Sequence, residues 1–384
     1  MLRSLLWLWC MIGLFGASGA TALAVLGPLP ERHAERLEPV AEATRAEPEH
    51  ARPEPAQVEP AQVEPAKREP AKPEPAHVAL VPPVEAHSPG PVAAFGAIAP
   101  PDPALLEASA LYEGGRLPRI GVEGRRPMQA YAAAFNASDT RPRVAVLLAG
   151  IGMNEAESLA ASANLPRTVS LAVSPYARRM DKLLDAARAA GHELLLSIPM
   201  EPQGYPLNDP GKQALLTGAS PTVNEQRLEW AMTRFSGYAG ATGALGEMRG
   251  ERLAAAGDQM SAMLATLAQR GLLYVDPRPA GLHPASPSRS GAVQRGVDLV
   301  LDDPAGAAEL DAALARLEKV ARDRGSAIGL AGRPTPGVVD RIAVWAAGLE
   351  ARGVALAPVS VVVQMPQAPL TVAPLNVARI TAPK

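Results

Sequence analysis

The chain is poor in the side chains that hold transition metals. Of its 384 residues one is cysteine, Cys10, and six are histidine; from Arg141 onward only His192 and His283 remain, with no cysteine. A single thiol excludes an intrachain disulfide and any cysteine zinc site. Charge of one sign is also lacking: the formal net charge is −2. No global field therefore recruits nucleic acid or acidic lipid, and DNA and RNA are not expected partners. What is present is apolar: 47% of the residues are hydrophobic, enough for a sizeable core. The length admits two average domains or one large barrel, and one domain with accessory segments fits better because the first third is not globular.

Leu5 to Leu26 runs 22 residues without a charge, preceded by Arg3. As a helix that length crosses a hydrocarbon core of roughly 30 Å, with the basic residue on the cytoplasmic side. Residues 1–27 thus read as a membrane anchor. A cleaved signal peptide is the competing reading, because Ala17 to Ala20 and Thr21 to Ala24 offer small residues that resemble a processing site. Either way the chain is exported to the cell envelope: anchored in the inner membrane with its bulk in the periplasm, or released there. Residues 28–103 hold 18 of the 40 prolines, with Glu-Pro-Ala recurring from Glu54, Glu59, Glu64, Glu69 and Glu74. Such a stretch lacks donors and large apolar side chains, and is expected to be a disordered spacer reaching on the order of 200 Å. Residues 104–140 form a preface with a helical patch near Tyr131 and turns around Gly114, Gly115 and Gly124.

After Pro142 short β-rich runs alternate with amphipathic helical patterns. Strands are predicted at Val144–Leu148, Thr168–Val173, Glu193–Ile198, Leu272–Val275, Asp298–Leu301, Ala327–Leu330 and Val354–Val359. Helices are predicted at Met180–Ala190, Val223–Phe235, Asp258–Gln269, Ala307–Arg324 and Val338–Ala351, with Gly191, Gly271, Gly325 and Gly353 placed as C-terminal caps. Repeated strand-then-helix order implies a parallel sheet, and an irregular β/α barrel over residues 141–365 is favoured over an open doubly wound sheet. Residues 366–384 are a tail. In either architecture ligands gather at the carboxyl ends of the strands.

The succession VAVLLAGIGMNE (Val144 to Glu155), LPRTVSLAVSPYA (Leu165 to Ala177), ARAAGHELLLSIPMEPQGYPLNDPG (Ala187 to Gly211), RGLLYVDPR (Arg270 to Arg278) and GVALAPVS (Gly353 to Ser360) resembles the divergent polysaccharide deacetylase family. The resemblance implies an irregular β/α barrel related to carbohydrate esterases that remove N-acetyl or O-acetyl groups. It also implies acetylated envelope polysaccharide or peptidoglycan as partner. Metal-dependent members of the parent superfamily pair two aspartates after the first strand with later histidines around a divalent ion. Where the divergent family often shows Asp-Asp, this chain has Ala149 and Gly150; where some members have histidines it has Ser197, the Gly246-Glu247-Met248-Arg249 segment, and Gly332-Arg333. No metal site of the family type is expected.

Carboxylates are the remaining chemistry. Glu201, Asp209, Glu247, Asp276, Asp302 and Asp303 fall at or after predicted strand ends; Glu201, Glu247 and Asp276 are the candidate catalytic set, as acid and base or as oxygen ligands to Mg²⁺ or Ca²⁺. Against this, Asp276 and Asp303 precede prolines and fit as caps of strand-to-helix turns, and Glu201 fits as a structural acceptor for loop amides. Tyr176, Tyr205, Asn208, Asp209, Arg249, Arg278 and Arg333 are candidate contacts to sugar hydroxyls and carboxylates. His192 starts a strand, at the end opposite the site, and reads as structural; His283 lies in a loop and reads as solvated. Ser174, Ser197 and Ser360 follow strands, but no Gly-x-Ser-x-Gly elbow or activating base accompanies them. No phosphate-loop or dinucleotide fingerprint follows Gly150 and Gly152. Two functions remain: a hydrolase of acetylated envelope polysaccharide, or a catalytically silent barrel that binds glycan or a protein partner on a Pro-rich tether.

Overall fold

The computed structural model describes residues 96–279, 291–302 and 306–365. The predicted membrane segment, the spacer up to residue 95, His283, Asp303 and the tail after residue 365 lie outside the described residues. Among the described residues no helix is long and apolar enough to cross a membrane.

The chain enters through a small antiparallel hairpin, β1 (Leu106–Ala108) and β2 (Arg116–Pro118). A one-turn helix follows, α1 (Pro127–Ala130). The barrel then begins with β3 (Arg143–Ile151) and continues through β4 (Ser170–Val173), β5 (Leu194–Ser197), β6 (Gly240–Thr242), β7 (Leu273–Pro279), β8 (Gln294–Val297), β9 (Leu299–Val300) and β10 (Ser326–Ala331). All are parallel, in the order β8-β7-β6-β5-β4-β3-β10-β9. Strands β8 and β9 are consecutive pieces of one run broken at Asp298; the first pairs with β7 and the second with β10, so the sheet returns on itself. The helices α2 (Glu155–Asn164), α3 (Met180–Ala189), α4 (Pro221–Thr233), α5 (Glu251–Ala255), α6 (Gly257–Gln269), α7 (Ala307–Arg324) and α8 (Pro336–Ala347) follow the strands in the manner of an irregular β/α barrel.

Strand periodicity explains the layers. On β3, Ala145, Leu147 and Ala149 join Ala172, Leu195, Leu273, Val275, Val297, Ile328 and Leu330 in an inner apolar cluster. Their neighbours Val144, Val146 and Leu148 join the larger cluster beneath the helices. Alternation of side chains along a strand produces this division, and burial on both faces is why these runs are almost wholly apolar. The helices start at readable signals: Asn154 accepts the Glu157 amide at 3.2 Å and Ser220 accepts that of Val223 at 3.3 Å, with Pro221 at the first helical position.

The amino-end face of the barrel is sealed. After β11 (Ala355–Leu356), which pairs with the start of β3, the short helix α9 (Val359–Val363) places Val359, Val362 and Val363 in the inner cluster, with Met128 from α1. Below it Glu193, fully buried, accepts hydrogen bonds from the Ser170 hydroxyl (3.0 Å), the Ser360 amide (3.1 Å) and the Ala133 amide (3.3 Å). His192 lies beside it, buried, its ring nitrogens 2.9 Å from the Val169 carbonyl and 3.0 Å from that of Ser162. It is therefore a structural residue on the face opposite the mouth.

Four differences from the sequence reading have physical causes. The Val354–Val359 run is a two-residue strand and a helix, because Pro358 stops pairing and serves as the N-cap of α9. Strand β6, Gly-Ala-Thr, lacks the bulky β-branched pattern that marks a strand, and its small residues fit beside Leu273, whose side chain lies 2.5 Å from a Cβ built on Gly240. Helix α2 has Leu159 as its sole large apolar side chain and so carries little periodic signal. The predicted Asp298–Leu301 strand is in fact preceded by β8, and the two form the closing seam. Of the predicted glycine caps, Gly191, Gly271 and Gly325 stand just past helix ends with φ of 88°, 69° and 82°; α8 instead ends at Ala347, and Gly353 closes a later turn.

Candidate functional site

The carboxyl ends of β3, β4, β5, β6 and β10 meet at a groove built from two adjoining clefts. One, of about 480 Å³, is lined by Met153, Glu155, Ser174, Tyr176, Arg178 and Asp209, among others. The other, of about 380 Å³, is lined by Asn154, Glu157, Gly246, Glu247, Arg333 and Pro334 among others. Met153, Leu245 and Met248 line both, and so form an apolar saddle across the barrel mouth. Met153 is 59% exposed. The saddle is fixed by two reciprocal backbone hydrogen bonds between Leu245 and Met248.

Beneath the saddle the mouth is filled by backbone. A Cβ built on Gly150, where φ is +73°, would lie 2.8 Å from the Gly332 carbonyl oxygen; one on Gly332 would lie 2.8 Å from an Asp302 carboxylate oxygen and 3.1 Å from the Gly246 carbonyl oxygen. Loops from three different strand ends thus touch where the resemblance would place a divalent ion. Ala149 and Ser197 are fully buried, and Ser197 Oγ has no hydrogen-bond partner among the described residues. Among the described residues no three His, Cys, Asp or Glu side chains are grouped so as to hold a metal ion. The described residues do not assemble the aspartate-and-histidine set that the resemblance implies. Close approach also governs Gly152, where φ is +88° and a Cβ would come within 2.3 Å of the Ala177 Cβ. Gly152→Ala is expected to lower stability by about 2 kcal/mol or more, read as a fall in melting temperature of about 4–8 °C.

Glu201, Glu247, Asp276 and Asp302 each face a different arginine. Glu201 is 3% exposed; it accepts the Thr217 amide (2.6 Å) and hydroxyl (2.7 Å) and pairs with Arg252 at 3.0 Å. It anchors the 201–217 loop. Asp276 does not cap a helix: it lies on β7 and grips Arg278 two residues on, with contacts of 2.9 and 2.6 Å, while accepting the Arg278 amide at 3.0 Å. That pairing, chiefly the hydrogen bond to Asp276, holds the Arg278 guanidinium proton more tightly than usual. Asp302 pairs with Arg249 and accepts the Gly332 amide at 2.7 Å, tying the turn after β6 to the end of β10. Glu247 lines the groove, and its link to Arg333 is loose, 3.9 Å between largely exposed partners. Such a pair contributes little.

Among the predicted substrate contacts, Tyr176, Asp209 and Arg333 line the groove. Tyr176 is held firmly: its hydroxyl accepts the Gln213 amide at 3.1 Å, and its ring lies 5.2 Å from that of Trp230, over which Arg234 sits at 5.4 Å. Burial lifts the Tyr176 phenol above its ordinary value. Arg249 and Arg278 are occupied by aspartates. Asn208 donates to the Gln203 carbonyl at 3.0 Å, within its own loop, and Tyr205 sits in the same loop. Groove residues not selected from sequence include Met153, Glu155, Glu157, Arg178, Leu245 and Met248. Those after β3 and β4 follow a predicted strand end, which was the available signal, whereas Leu245 and Met248 follow β6, which carried none; nothing in the pair Arg178-Arg179 tells which of the two lines a cleft.

A family model described as divergent polysaccharide deacetylase matches residues 146–363. The crystal structure of the uncharacterized protein ATU2773 from Agrobacterium tumefaciens C58 is similar, with 32% sequence identity and a TM-score of 0.59 over 65% of this chain and 99% of that one. Among curated proteins none matches. The matched span begins inside β3 and ends with α9, so it takes in every barrel strand, the saddle and the sealed floor: this chain belongs to the divergent polysaccharide deacetylase family.

Proposed function

We propose that the barrel mouth recognises carbohydrate of the cell envelope and carries out no deacetylation. Family membership supports a carbohydrate ligand. The observation that carries the rest is the state of the mouth: Glu201, Asp276 and Asp302 are each engaged by an arginine, and the backbones of Gly150, Gly246 and Gly332 crowd together beneath the saddle. A general base must reach the proton it removes, and a metal-activated water needs an open coordination position. What the groove does offer is a fixed aromatic ring, polar lining groups and an apolar saddle, a combination suited to sugar faces and acetamido methyl groups. The uncharged run at Leu5 to Leu26 and the Pro-rich spacer support display in the envelope, either anchored in the inner membrane or released to the periplasm.

The test uses the full-length protein with N-acetylated oligosaccharides. Acetate release is expected to stay at background with added Zn²⁺ and with EDTA alike, while titration calorimetry detects binding. Met153→Asp, at an exposed position in the saddle, is expected to weaken binding about tenfold or more, since it sets a charge against apolar contacts, with the melting temperature unchanged. EDTA-sensitive acetate release would overturn the proposal.

A further inference from the structure

We infer that the part of the groove beside Tyr176 is a subsite for an N-acetylated sugar bearing a carboxylate; this rests on the carbohydrate reading above and names its ligand class. Three charged side chains line that cleft: Glu155, Arg178 and Asp209. Glu155 is balanced by Arg179 at 3.6 Å and Lys182 at 3.9 Å. Arg178 and Asp209 come from the loops after β4 and β5, and no ion pair forms between them or with any other described residue. Asp209 is nonetheless positioned, since one of its oxygens accepts the Gly211 amide at 2.8 Å, which leaves the other to accept from a ligand.

The cleft thus offers an open guanidinium and an open carboxylate oxygen beside Tyr176, a firmly held residue that is 39% exposed. A neutral sugar would satisfy the acceptor and leave the guanidinium to water. A sugar with both a carboxylate and an acetamido group satisfies all of it: the carboxylate meets Arg178 as a forked, charge-assisted pair. The hydroxyl or amide N–H donates to Asp209, the pyranose face covers Tyr176, and the acetyl methyl reaches Met153 and Met248. Ser174, whose hydroxyl oxygen accepts the Tyr176 amide at 3.2 Å, retains its own proton to donate at the cleft floor.

The inference is tested on the full-length protein with three probes in parallel: N-acetylmuramic acid, the same sugar with its carboxylate converted to an amide, and a neutral chitooligosaccharide. Affinities are measured by titration calorimetry or ligand-observed NMR. The carboxylate form is expected to bind about tenfold more tightly than its amide. Arg178→Ala and Arg178→Gln are expected to abolish that difference while leaving the neutral probe's affinity and the melting temperature unchanged, and Arg178→Lys to restore part of it. Equal affinities for acid and amide, or a preference that survives Arg178→Ala, would overturn the inference and leave the carbohydrate reading standing. Failure of all three probes to bind would overturn both.

Discussion

Replacing Arg295 by methionine is expected to lower the unfolding free energy by about 3–5 kcal/mol, because it takes the buried partner from a buried carboxylate and leaves several acceptors unpaired at once. Arg295 and Asp298 have side chains 2% and 1% exposed, at the break between β8 and β9 where the barrel closes. One Arg295 nitrogen donates to the Ser326 hydroxyl at 2.8 Å and the Val362 carbonyl at 3.1 Å; the other donates to the Ser326 carbonyl and to Asp298, both at 3.2 Å. Asp298 in turn accepts the Ile328 amide at 2.9 Å and pairs with Arg324 at 3.2 Å. A single charged pair therefore joins the seam, strand β10 and the floor helix α9. Urea denaturation followed by far-UV circular dichroism measures the loss. Arg324→Ala, removing the more exposed partner, is expected to cost under about 1 kcal/mol. The double change Arg295→Met with Asp298→Leu is expected to recover part of the loss, since well-packed apolar groups often replace a buried pair at little cost. A loss under about 1 kcal/mol for Arg295→Met would show that the seam is held by packing alone.

Glu193→Ala is expected to cost about 3 kcal/mol or more, since it leaves the Ser170 hydroxyl and the Ser360 and Ala133 amides without their acceptor. Glu193→Gln keeps an acceptor there and is expected to cost less. The two variants also differ from the wild type in pH dependence. Burial pushes the Glu193 carboxyl above its ordinary value of 4.5, with the bonds from Ser360, Ser170 and Ala133 drawing it only partly back. The folded protein therefore holds this proton more tightly than the unfolded chain does. The associated stability is fully present below about pH 4.5 and is lost as pH rises through the folded value. His192 acts in the opposite sense: burial lowers its value from 6.5, so its contribution is present above about 6.5 and is lost as pH falls through the lowered value. Because His192 is common to both proteins, the difference between wild type and Glu193→Gln isolates Glu193. That difference is expected to shift toward the variant as pH rises from 4 to 7 in a series of urea titrations, and a flat difference would contradict it.

The pattern by which local physics was readable is clear from particular elements. Helix α7, Ala307–Arg324, is found at its predicted bounds, because an 18-residue amphipathic run followed by Gly325 leaves little alternative. Strand β10 extends its predicted span by one residue at each end, being apolar on both faces. By contrast β6 and α2 are built from small residues, whose preference is set by what packs on them. The same division separates the site residues. Tyr176 was reachable from sequence because it follows the end of β4 closely, and Asp209 because it stands in the Pro-rich loop that leaves β5. The fate of Asp276 was not, since a turn cap and a clasp on Arg278 are written with the same Asp-Pro-Arg.

From the order of its strands and helices the chain alone determined a parallel barrel and its mouth at the carboxyl ends of the strands, and its composition left only two histidines and no cysteine after Arg141. Periodicity and composition are local properties, and they survive without knowledge of any contact. The tertiary structure decided which arginine takes which carboxylate, that Gly150, Gly246 and Gly332 meet in the mouth, that a strand broken at Asp298 closes the wall, and that Arg178 is left open beside Tyr176. Those outcomes depend on distances between segments tens to hundreds of residues apart, and only the folded chain sets them.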